Sequence, residues 1–92
     1  RMPVVDPMQI VSRIANKVGV SEKTKRDALE ILKDYERREA LAGKSPTVIA
    51  ATAVYIAITK NDERFTQRDV AKAANVTEVA IRNRVSAIRA AR

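Results

Sequence analysis

The chain has 92 residues, 46% of them hydrophobic and 32% charged, with no cysteine and no histidine. That length holds one domain with a single core. The composition is globular rather than disordered, and it excludes disulfides, thiolate or imidazole metal sites, thiol catalysis and an imidazole acid or base.

Lys and Arg number 18 against 11 Asp and Glu, a formal charge of +7 at pH 7. A small basic domain meets something anionic: nucleic acid, an acidic protein or a membrane surface. Gly 2, Pro 3 and 3% aromatics favour helices over a turn-rich β sandwich. The first residues contain no apolar core of a signal peptide, so a soluble intracellular chain is expected. It starts at Arg1 rather than an initiator Met, which suggests a fragment of something longer.

Helices are predicted at 6–18, 21–42, 46–60, 66–74 and 77–91. In the first, Asp6 caps the orphan amides and Pro7 sits where a missing N–H costs nothing. Ile10, Val11, Ile14, Ala15 and Val18 form its apolar stripe, and Gly19 ends it by accepting a left-handed conformation. Ser21 caps the second helix, whose expected buried face is Ala28, Ile31, Leu32 and Tyr35. Residues 33–39 are densely charged with mixed signs and read as a solvated helix surface with local ion pairs, and Gly43 closes the helix.

Ser45 and Pro46 repeat the opening device. Residues 48–58 are apolar nearly all round, too short for a bilayer, which takes roughly 20 residues. They predict a central post buried on every side, with alanines that let its neighbours approach closely. Residues 60–64 form a polar loop. Thr66 caps the fourth helix with Asp69 as its capping-box partner, and Val70, Ala71 and Ala74 face inward. Asn75 and Val76 turn the chain. Thr77 caps the fifth helix, which buries Ile81, Val85 and Ile88. The expected fold class is all-α: five helices, the third wrapped by the others.

Residues 67–85 fit a helix-turn-helix. Ala71 is small where the second helix of the motif must cross, Asn75 tolerates positive φ at the turn, and Val76 and Ile81 anchor that second helix. Packing alone also produces such residues in helical bundles. On the fifth helix, Val79, Arg82, Asn83 and Ser86 lie opposite the apolar stripe. An aliphatic group, a guanidinium and an amide suit base edges in a major groove, and Arg84 and Arg89 lie on the flanks, where phosphates would run. The alternatives are that Val79 contacts a neighbouring helix and that Arg82 and Arg84 are solvated charges. Residues 66–92 carry six basic side chains, Arg68 among them, against two acidic ones, so positive charge is densest at this end.

Several segments carry a resemblance. Gly43-Lys44-Ser45-Pro46 followed by Ala50-Ala51-Thr52-Ala53-Val54-Tyr55-Ile56-Ala57 is similar to the third helix of a cyclin-like repeat in the transcription factor IIB family. Thr66-Gln67-Arg68-Asp69-Val70-Ala71 and Val76-Thr77-Glu78-Val79-Ala80-Ile81-Arg82-Asn83-Arg84 resemble that family's helix-turn-helix, and Val5-Asp6-Pro7 resembles its linker into the second repeat. The match spans essentially the whole chain and looks like the second, C-terminal repeat of archaeal members.

The resemblance implies a five-helix cyclin-like bundle in a factor that joins promoter-bound TATA-binding protein to RNA polymerase. Its second repeat would read the B recognition element, just upstream of the TATA box. The family's base-reading valine and arginine fall on Val79 and Arg82, neighbouring DNA-touching positions match Thr77, Asn83 and Arg84, and the basic residue before the third helix falls on Lys44, a phosphate contact. Arg68 and Arg89 complete the expected backbone contacts. Phe65 stands where the family commonly has a basic residue, and Ala80 replaces a commoner threonine. No zinc ribbon, reader segment or first repeat is in the sequence.

The expected function is therefore a DNA-binding module of an initiation factor, with no catalysis and no cofactor or metal, monomeric, off the membrane, and cytoplasmic at the nucleoid of an archaeal cell. Its partners would be double-stranded promoter DNA, TATA-binding protein and RNA polymerase through the longer protein. A protein-interaction scaffold and a dimeric repressor are the competing readings. The second would need a spare apolar dimer face, and none is apparent.

Overall fold

In a computed structural model, which describes residues 6–38 and 45–90 without the side chains at 36–38 and 88–90, each helix starts at a short polar side chain. Asp6 Oδ1 accepts from Met8 N at 3.0 Å and opens α1 (Pro7–Val18). Ser21 Oγ accepts from Thr24 N at 3.2 Å at the start of α2 (Glu22–Arg38). Ser45 Oγ accepts from Val48 N at 3.3 Å and opens α3 (Pro46–Lys60). Thr66 and Asp69 form a reciprocal capping box on α4 (Gln67–Ala74), and Thr77 Oγ1 accepts from Ala80 N at 3.1 Å on α5 (Glu78–Ala90). Each cap satisfies an amide that the helix itself leaves unpaired. Gly43, expected to end α2, lies outside the described residues, as do Val5, Lys44 and Arg92 and the side chains of Ile88 and Arg89.

Three helices end on a left-handed residue: Gly19 after α1 (φ 95°), Asp62 just past α3 (φ 56°) and Asn75 after α4 (φ 59°). Behind them the chain doubles back through the same bond pattern, with Val20 N donating to Ala15 O, Glu63 N to Ile58 O and Val76 N to Ala71 O, at 3.0–3.2 Å. These bonds satisfy terminal carbonyls and keep the connections short.

The architecture is the expected all-α, cyclin-like bundle: five helices and no strand among the described residues. α3 packs against all four others, α1 also against α2 and α4, and α4 against α5. The core joins Ile10, Val11, Ile14 and Ala15 of α1 to Leu32 of α2, Ile49, Val54 and Ile58 of α3, Val70 of α4, and Ile81 and Val85 of α5. Ala50, Ala51, Ala53 and Ala57 are buried along α3, which brings neighbouring backbones close to it.

Two details differ from expectation. The buried stripe of α2 is Thr24, Ala28, Leu32 and Tyr35, spaced by four, four and three residues, while Ile31 stands at its edge and is half-buried. α3 is not buried on every side: Val48, Tyr55 and Ile56 are half-buried and Thr59 is exposed. These four share one face at helical spacing, a face the other four helices do not fully cover. The buried Thr52 hydroxyl donates to Val48 O at 2.7 Å, so the polar group sits in the core already paired. No helix among the described residues is long and apolar enough to cross a membrane.

Candidate nucleic-acid interface

α4 and α5 are held together from the turn outward. Asn75 places the chain in the left-handed conformation, and Val76 tucks half-buried against the core. From the first turn of α4, Gln67 Nε2 donates to Glu78 O at 3.2 Å. Arg68 Nε lies 3.7 Å from Glu78 Oε2, an exposed pair that contributes little energy by itself. The Gln67 bond matters more, because it joins the starts of the two helices directly. The sequence alone does not single out Gln67. Its position in the first turn of the first helix, eleven residues before Glu78, is the available signal.

α5 then divides into two faces. Ile81 and Val85 are buried, whereas Val79, Arg82, Asn83 and Ser86 are exposed. Their spacing of three, one and three residues puts all four on one strip. Val79 is 55% exposed and is the one large hydrophobic residue so exposed among the described residues. Arg82 and Asn83 have no hydrogen-bond or ion-pair partner among the described residues. An exposed aliphatic group, a free guanidinium and a free amide thus stand together on a helix anchored from behind. Such a strip can meet the donors, acceptors and thymine methyls of a major groove.

The expected backbone contacts are placed differently. Thr77 is exposed, with its oxygen engaged in capping α5 and its hydrogen without an acceptor among the described residues. Arg68 is exposed beside Glu78. A shallow cleft of about 370 Å³ at the turn brings Arg68, Lys72, Asn75 and Thr77 onto one surface. Arg84 is half-buried and donates from Nη1 to Tyr35 Oη at 3.2 Å. Its place three residues after Ile81 turns it toward the core side. Tyr35 is 5% exposed, and this bond gives its buried phenol a partner while tying α5 to α2. Lys44 and the Arg89 side chain lie outside the described residues. No group of acidic residues among the described residues is arranged to hold a metal ion.

A second polar cluster supports the bundle away from this strip. Glu63, in the α3–α4 connection, accepts from Ser21 Oγ at 2.5 Å, from the Thr24 hydroxyl and from Ser21 N at 3.3 Å. Asn61 Nδ2 donates to Asp27 Oδ2 at 2.8 Å. The hydrogen bonds from the Ser21 and Thr24 side chains hold the Glu63 carboxyl below its ordinary value, against a smaller opposing effect of burial. The sequence offers only a polar loop here, because these partners lie about forty residues apart in the chain.

The family model described as "Transcription factor TFIIB repeat" matches residues 1–91. The chain is 48% identical over 84 residues to transcription initiation factor IIB of Pyrodictium occultum, an alignment covering 91% of this chain and 27% of that protein. Against the same-named protein of Pyrococcus horikoshii it is 48% identical over 80 residues (87% and 27%), and against that of Sulfurisphaera tokodaii 45% over 83 residues (90% and 27%). The chain thus spans about a quarter of the length of these archaeal relatives. The family is non-enzymatic. A repeat-wide match and near-half identity, carried by a five-helix bundle ending in a helix-turn-helix, place this chain in the TFIIB repeat family.

Proposed function

We propose that the chain is the DNA-reading repeat of a general transcription initiation factor. α5 enters the major groove of promoter DNA at the B recognition element upstream of the TATA box. Val79 and Arg82 contact base edges there, Asn83 adds a further base contact, and Thr77, Arg68 and Arg84 hold the phosphates, with Lys44 and Arg89 in the same role. The longer protein would join TATA-binding protein to RNA polymerase. The observation that supports this reading best is the strip of Val79, Arg82, Asn83 and Ser86, exposed while Ile81 and Val85 lock the same helix into the core. The charge of +7 supplies non-specific attraction to a phosphate backbone.

An NMR titration tests it. The 92-residue chain is titrated with a duplex carrying a purine-rich element upstream of a TATA box, and with a scrambled duplex, at two salt concentrations. The expected result is shift changes centred on residues 77–86, larger for the real element and retained at the higher salt. Equal shifts for both duplexes that vanish with salt would reduce the surface to a basic patch. Silence with DNA alone, followed by binding once TATA-binding protein is added, would make protein contact the primary role.

A further inference from the structure

A second cleft lies between α1 and α4, with no residue of α5 in its wall. Its volume is about 400 Å³, and Lys17, Val18, Phe65, Asp69, Lys72 and Ala73 line it. The floor is apolar: Val18 ends α1, Ala73 comes from α4, and Phe65, the chain's one phenylalanine, comes from the connection between α3 and α4. All three are half-buried. A Cβ on Gly19 would come 4.0 Å from the tip of the Phe65 ring, so this α1 end residue closely borders the floor.

The rim is charged. Lys17 and Lys72 sit in the last turns of α1 and α4. Both are exposed, and neither has a hydrogen-bond or ion-pair partner among the described residues. The one carboxylate in the wall, Asp69, accepts from Thr66 N at 2.9 Å through Oδ2 in the α4 capping box; it keeps its charge, and the two lysines leave the wall net positive. Two unpartnered ammonium groups therefore stand over an apolar floor. A phosphate group would use the lysines and leave the floor unfilled. An uncharged apolar ligand would fill the floor and leave the lysines unpaired. A peptide with a bulky apolar side chain between carboxylates uses both.

We propose that the α1–α4 cleft docks an acidic segment of a partner protein, seating one bulky apolar side chain on Val18, Phe65 and Ala73 while flanking carboxylates pair with Lys17 and Lys72. The cleft is built without α5, so the segment leaves Val79, Arg82 and Asn83 open; Lys72 also lines the cleft at the α4–α5 turn, whereas Lys17, Val18 and Phe65 belong to the α1–α4 cleft alone.

The test is fluorescence anisotropy, without DNA, of a labelled peptide of Asp and Glu around one central Phe, titrated with the 92-residue chain. Replacing the peptide's Phe by Ala should weaken binding about tenfold, the effect of losing one aromatic anchor. Lys17→Glu should weaken it about fivefold at low salt, and Phe65→Ser should weaken it comparably to the peptide change. Lys17 is exposed, so the Lys17→Glu variant keeps its fold if Phe65→Ser does not. Amide shifts should centre on residues 17–19, 65 and 72–73 and leave 79–86 unmoved. Equal binding by the Ala peptide and the Lys17→Glu variant would overturn the proposal, leaving general attraction to a basic chain. So would a duplex that moves the cleft amides while the peptide does not, which would make the cleft a DNA backbone contact.

Discussion

Arg82 and Arg84 are two positions apart on one helix, and the structure gives them different surroundings. Arg82 is exposed and has no partner among the described residues, on the strip with Val79 and Asn83. Its planar fork suits a bidentate bond to a guanine edge. Arg82→Ala is expected to cost about 1–3 kcal/mol on the cognate duplex and to flatten the preference over a scrambled one. Competition binding with both duplexes measures this, and equal weakening on the two would remove the base-reading role. Arg84 spends one N–H on Tyr35 Oη, and a guanidinium has four more. It can brace α5 against α2 and still reach a phosphate. Two variants separate these jobs. Tyr35→Phe should lower stability by about 0.5–1.5 kcal/mol and leave the salt dependence of DNA binding unchanged. Arg84→Ala should also lower the logarithmic salt slope by about one. An unchanged slope for Arg84→Ala would make Arg84 a brace alone. The sequence marks both arginines as basic and helical, but only the fold shows that Arg84 meets a phenol 49 positions away.

At the scale of elements, the α4–α5 pair depends on its turn more than on its length. α4 has 8 residues, well short of a helix that persists alone in water. It is held by the Thr66–Asp69 capping box at one end, the left-handed Asn75 at the other, and Val70, Ala71 and Ala74 against the core. All of these are legible in the sequence, since caps, turn residues and apolar spacing are local signals. The Gln67 bond to Glu78 O is not, because propensity says nothing about which carbonyl a side chain finds across a turn. Asn75 has φ 59°, where a β-branched side chain is strongly disfavoured and an asparagine or glycine is tolerated. Asn75→Val is expected to cost about 1–2 kcal/mol in urea denaturation and to weaken DNA binding by misdirecting α5. Asn75→Gly should keep both properties close to the parent. If the valine variant matched the glycine variant in stability, the left-handed turn would not be what sets the helix crossing.

For the whole molecule, local signals place all five helices and most of the core, and they fail where a contact joins distant parts of the chain. α3 reads as buried all round because its sequence has no polar stripe, yet Val48, Tyr55 and Ile56 are half-buried, since apolar composition does not count the neighbours available to cover it. The Glu63 cluster is invisible for the same reason. It joins the start of α2 to the connection between α3 and α4, and it also makes stability depend on pH. The Ser21 and Thr24 hydroxyls hold the Glu63 carboxyl below its ordinary value of 4.5. Its contribution is therefore complete above that value, where the carboxyl is ionised in folded and unfolded chains alike. It is lost as the pH falls through the lower folded value, where the proton that the unfolded chain already carries must also be taken up by the native state. Acid also leaves the charge of 18 Lys and Arg unopposed, so the parent's acid limb contains general repulsion as well. The difference between the parent and Glu63→Gln isolates the cluster. Thermal melting across the acid range should find the variant less stable at neutral pH, with the gap closing progressively below about pH 4.5. Parallel curves through that range would mean that the Glu63 charge contributes nothing to the fold.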